Sequence, residues 1–100
     1  MGTTQLHAVH VTETGLAVAT PFNLRGLSFT HVGATRAAFH DGPNASAPLL
    51  LAWEWPGNGI RELRFQPDDL PFRTSVWVVV TTAGSLDMWL EGKALYGAEG

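Results

Sequence analysis

A chain of 100 residues with net charge −3 and no cysteine has the length of one domain, and it excludes disulfides, thiolate zinc sites and a basic nucleic-acid surface. Charged residues make up 15% and apolar residues 45%; the charged share is below the roughly 25% usual in soluble domains, which leaves either a small polar surface or one shared with other chains. No apolar run reaches the roughly 18 residues that span a bilayer, so no membrane partner is expected, and Met1 to Leu6 carries neither a signal-peptide pattern nor a myristoylation pattern. The chain therefore reads as made and kept in a cytoplasm, unless another machine exports it. Gln5 to Thr12 alternates Val9 and Val11 against Ala8 and His10, which predicts a first strand, because side chains on a strand point to opposite faces with period two. Glu13-Thr14-Gly15 predicts a turn, and Leu16 to Thr20 a second strand with Leu16 and Val18 on one face, ended by Pro21, which cannot donate to a ladder.

Arg25 to Val32 and Thr35 to Asp41 predict the next two strands, joined by a tight Gly33-Ala34 connection. Asp41-Gly42-Pro43-Asn44 stops the second of them, and the loop that follows, to Pro48, lies within one domain. Asn44-Ala45-Ser46 matches the glycosylation sequon with no secretion signal to support it, and it reads as part of that loop. Leu49 to Trp55 places Leu49, Leu51, Trp53 and Trp55 on one face and Leu50, Ala52 and Glu54 on the other. Pro56-Gly57-Asn58-Gly59 is a reversal signal that predicts a hairpin with Ile60 to Gln66, where Leu63 and Phe65 oppose Glu62 and Arg64. That charged pair reads as solvated. Pro67 to Pro71 reads as a rigid crossing between sheets.

Ser75 to Thr82 is the most apolar strand, with Val76, Val78 and Val80 on one side and Trp77 and Val79 on the other. A strand apolar on both faces is covered twice, once by its own core and once by a loop of the same chain or a neighbouring subunit. Thr82-Ala83-Gly84-Ser85 turns the chain into Leu86 to Glu91, where Leu86, Met88 and Leu90 point inward and Trp89 points outward between Asp87 and Glu91. The expected fold is all-β, an antiparallel jelly-roll-like β-sandwich of about eight short strands. It is a single domain over 1–100, with a core from about residue 5 to 91 and a flexible tail over 92–100 in which Leu95 and Tyr96 could dock on a partner.

The histidines do not assemble a metal site in this pattern. His7 and His10 fall on opposite faces of a strand; His31 and His40 could meet across the Gly33-Ala34 turn beside Asp41, but zinc needs three or four converging ligands. Ser28, His40 and Asp41 lack a nucleophile elbow, and neighbours on a strand point apart. Asp68 and Asp69 are neighbours on a proline-flanked loop and read as turn formers, and Gly57-Asn58-Gly59 has no following helix to bind phosphate. The reading is of no enzyme, no metal and no cofactor. What stands out is tryptophan, four in 100 residues, and large aromatics are enriched at protein contacts. Trp53, Trp55, Trp77, Trp89 and Tyr96 are the candidate partner-interface residues, the alternatives being a buried core role or, for Trp89 with its flanking acids, a carbohydrate platform.

The runs Leu24-Arg25-Gly26-Leu27-Ser28-Phe29, Ala37-Ala38-Phe39-His40-Asp41-Gly42, Leu49-Leu50-Leu51, Phe65 to Phe72, Ser75 to Thr81 and Ser85 to Leu90 together resemble small β-sandwich virion proteins of tailed bacteriophages. The likeness covers about residues 22 to 91 and departs from the family pattern at Thr74-Ser75, where a Gly is usual, and at Trp53, Trp55 and Trp89, where small or polar residues are usual. It implies a structural role as a capsid decoration or cement protein, located in the virion after synthesis in the host bacterium. Its implied partners are the major capsid protein or other virion subunits, and a homo-oligomer, a trimer in the first instance, is expected. The alternatives it leaves are a small tail or fibre component and a carbohydrate- or receptor-binding module.

Overall fold

The structure is a computed structural model that describes residues 7–65 and 68–94. Among the described residues nine strands follow in order: β1 (His7–Val11), β2 (Gly15–Val18), β3 (Phe22–Val32), β4 (Thr35–Asp41), β5 (Leu49–Trp55), β6 (Gly59–Arg64), β7 (Leu70–Phe72), β8 (Val76–Thr82) and β9 (Ser85–Ala94). They form two antiparallel sheets, one ordered β1-β9-β3-β6 with β7 also paired to β3, the other ordered β2-β8-β4-β5. This interleaved order is that of a jelly roll, a double sheet made by folding one long antiparallel ribbon over itself. The strand added to the eight expected is β7, which begins in the stretch expected to be only a crossing and pairs Leu70–Phe72 with Phe22–Leu24.

The inward side chains follow the period of two. Leu24, Leu27, Phe29, Leu86, Met88 and Leu90 of one sheet meet Phe39, Trp53, Val76 and Val78 of the other, all buried. Phe29 and Trp53 stack across the gap with ring centroids 3.9 Å apart and planes within 10°. Each such aromatic or aliphatic side chain contributes about 1.5–3 kcal/mol when fully buried. The open β5–β6 side is closed by Arg61, whose guanidinium lies 4.4 Å above the Trp55 ring, a cation–π contact that also shields apolar surface.

Several expectations about connection and facing are corrected. The Gly33-Ala34 link joins β3 and β4 in different sheets, so it is an arch and not a hairpin, and His31 and His40 do not meet across it. The same holds for Pro56 to Asn58 between β5 and β6 and for Ala83-Gly84 between β8 and β9; of the consecutive strands, β4 and β5 pair with each other. The arches lock together at one end of the sandwich: Ala83 N donates to Ala34 O at 2.8 Å, and Gly33 N donates to Asn58 Oδ1 at 2.7 Å. Gly33 has φ +84°, a left-handed conformation that glycine takes without strain.

A register shift between Leu16 and Val18 separates two residues expected on one face. Leu16 aligns with Trp77 and is 48% exposed, whereas Val18 aligns with Val76 and packs on the core. A second shift, opposite Phe39–His40, takes Leu49 out of the inward row and leaves it exposed beside Leu50. One extra residue on one strand is what a β-bulge supplies, and it re-aims the side chains beyond it. At the other end of the chain β9 continues through Ala94, where residues 92–94 pair with 22–24.

Candidate functional site

Because each sheet packs one face on the other, functional surface must lie on the two outer faces, at the edges, or at the ends. The outer face of β2-β8-β4-β5 is set by the ladder register. Leu16, Trp77, His40 and Leu49 form one row, Val79, Ala38 and Ala52 the next, and Thr81, Arg36 and Glu54 a third. The first two rows, with Leu50, are apolar apart from His40. Ala38 is 2% exposed yet stands apart from the inner core cluster, so its outer neighbours crowd over it. Trp77 is half-buried, and among the described residues no acceptor reaches its indole N–H. His40 is held by its Nδ1, 2.9 Å from Ala47 O, which leaves the imidazole at the border of the apolar rows.

The outer face of β1-β9-β3-β6 is different. His10, Trp89, Ser28 and Glu62 form one row, and Ala8, Glu91, Gly26 and Arg64 the next. Trp89 is 45% exposed; His10 stacks on it with centroids 4.4 Å apart and planes within 15°, and His10 Nε2–H donates to Asp87. Arg64 donates to Glu91 from one nitrogen and to Glu62 from the other, the latter at 2.5 Å. The bond to Glu91 first, and that to Glu62 second, hold the guanidinium pKa above its usual value, because both carboxylates favour the charged form. Around these side chains lies a shallow notch of about 160 Å³.

Of the five residues expected at an interface, the four tryptophans are not brought together. Trp53, 9% exposed, belongs to the core; Trp55 is half-buried under Arg61; Trp77 and Trp89 stand on opposite outer faces. Tyr96 lies outside the described residues. Ser28 and the His40–Asp41 pair fall on different sheets, and Asp41 accepts from Arg73 N at 3.0 Å and Thr74 N at 2.8 Å, a loop-pinning role. Among the described residues no three His, Asp or Glu side chains converge on a metal-sized site.

No family model matches this chain, and no curated protein matches it.

Leu16 and Leu49 as surface residues, and Arg64 with Glu91, are not visible when strands are read singly. The signal that pointed to the apolar face was the second apolar side of β8, together with Leu50 and Ala52 on the second side of β5.

Proposed function

We propose that this chain is a non-enzymatic structural subunit of a tailed-bacteriophage virion, a capsid decoration or cement protein, that acts by burying its apolar outer face against further copies of itself and the shell. The observation that carries the reading is the apolar outer surface of β2-β8-β4-β5, which runs across all four strands through Leu16, Trp77, Val79, Ala38, Ala52 and Leu50. Contiguous apolar surface on a small domain marks a contact site, and half-buried Trp77 supplies a large aromatic ring near its centre. Arg36 and Glu54 lie side by side at one end of that face. A face carrying one charge of each sign beside an apolar centre is complementary to a second copy of itself, which favours a homo-oligomer.

Two further points support it. The jelly roll is a fold that viral capsid proteins use, an argument by analogy that raises the expectation without fixing the role. The chain also carries the resemblance to small phage virion proteins over residues 22 to 91, and many copies binding weakly reinforce a shell through multivalency.

The test is physical association. Particles purified from a culture that makes this chain should carry it at a fixed ratio to the major shell protein, and Ala52→Asp should remove it from them. Recovery of the wild-type chain entirely free of particles, or retention of the Ala52→Asp variant at wild-type ratio, overturns the proposal.

A further inference from the structure

We propose that the notch beside Trp89, on the sheet face away from the apolar rows, is a binding site for a single neutral sugar ring of a glycan. The inference stands on its own geometry and does not require the virion reading.

The site is built from two rows of the ladder. In one, Trp89 and Glu62 stand on either side of Ser28, whose small side chain leaves the space between them open. In the other, Gly26 separates Glu91 from Arg64, and a side chain at Gly26 would come within 2.8 Å of Leu63 O and 3.1 Å of Arg64 Cδ. The result is a hollow of about 160 Å³ with an indole on one wall and a guanidinium and two carboxylates on another. His10 covers one ring face of Trp89, so the indole offers the notch its other face.

The chemistry selects the ligand. A flat indole receives the apolar C–H face of a pyranose, the kind of half-apolar, half-polar surface for which Trp is suited. Each carboxylate has two acceptor oxygens, and the guanidinium five donors, of which Arg64 commits one nitrogen to Glu91 and another to Glu62. Neighbouring hydroxyls that are both donors and acceptors match that arrangement. The walls are also set in advance, since Arg64 is held from two sides and the His10 ring is oriented by Asp87; groups already fixed lose less entropy on binding.

Other ligand classes fit less well. Glu62, Glu91 and Asp87 against Arg64, and Lys93 further along the same side of β9, leave the face with one more acid than base, which disfavours phosphates and acidic sugars. An added peptide strand would lie along the open edge of β6, whereas the floor of the notch, Ser28 beside Trp89, is on the face of β3 and β9, both flanked by other strands. A neutral glycan remains.

The experiment is a titration of the full-length, nitrogen-15-labelled chain with methyl glucoside, methyl galactoside, methyl mannoside and N-acetylglucosamine, with glucuronate as the charged comparison. The indole N–H signals of the four tryptophans are followed separately. At least one neutral sugar should shift the Trp89 signal saturably, and glucuronate should bind more weakly than the matching glucoside. Ser28→Gln, which fills the floor of the notch while keeping Trp89, should weaken binding roughly tenfold, and Trp89→Ala should weaken it at least as much. No saturable shift from any neutral sugar, a shift confined to the other indoles, or binding unchanged in the folded Ser28→Gln variant overturns the assignment.

Discussion

On the outside of β2-β8-β4-β5, Leu16, Trp77, Val79, Ala38 and Ala52 lie side by side, and two opposite charges on neighbouring strands, Arg36 across from Glu54, stand at the end. At the matching positions outside β1-β9-β3-β6 stand His10, Trp89, Ser28, Glu62, Glu91 and Arg64. Both faces carry one tryptophan, and both are laid out by the same alternation. They differ in whether the chain satisfies its own outward groups. Trp89 is stacked by His10 and framed by ion pairs, whereas Trp77 shares its row with Leu16, His40 and Leu49. A face whose polar groups are paired at home is finished in water or ready for a small polar ligand; one left apolar is finished by another protein surface.

The strongest expected effect checks that a tryptophan between the sheets behaves unlike either of those two. Trp53→Ala removes the ring stacked on Phe29 and should cost about 3–5 kcal/mol in urea unfolding; a cost below about 1 kcal/mol would mean that Trp53 is not part of the core. Ala52→Asp comes next, placing a charge at the β5 end of the second apolar row, at an exposed position. In dilute solution its stability should stay within about 0.5 kcal/mol of wild type. The wild-type unfolding midpoint should rise with protein concentration, as binding of folded copies requires, and the variant's should not. Equal concentration dependence in both would erase the distinction between the faces. Smaller again, Trp89→Ala on the polar face should cost about 1 kcal/mol through loss of the His10 stack, with oligomeric state unchanged by light scattering. Least of all, Glu62→Gln removes one side of an exposed ion pair, and no resolvable change in the urea midpoint is expected.

How far these faces could be read in the sequence depends on how local each feature is. The inward rows of β8 and β9, Val76 with Val78 and Leu86 with Met88 and Leu90, follow from alternation alone and are buried as expected. Trp89 outward between Asp87 and Glu91 was legible for the same reason. Strand pairing was not, because glycine- and asparagine-rich reversals serve an arch as well as a hairpin: Gly33-Ala34 and Pro56-Gly57-Asn58 turn the chain sharply in either case, and only distant partners decide which. Bulges were equally hidden, since a single extra residue at Leu16–Val18 or Leu49–Leu50 leaves the composition of the strand unchanged. The notch depends on contacts such as Arg64 with Glu91 and His10 with Trp89, which join strands far apart in the chain. Reading Glu62 and Arg64 as a solvated pair caught half of it and could not place the third member.

Sedimentation velocity of the wild type, the Ala52→Asp variant and the Trp89→Ala variant at equal concentrations tests the contact surface most directly. A defined oligomer for the wild type and for Trp89→Ala, beside a monomer for Ala52→Asp, is the outcome that follows if β2-β8-β4-β5 turns its outer side to other copies. A wild-type chain that stays monomeric across the accessible concentration range, or an Ala52→Asp variant that assembles as the wild type does, would contradict it.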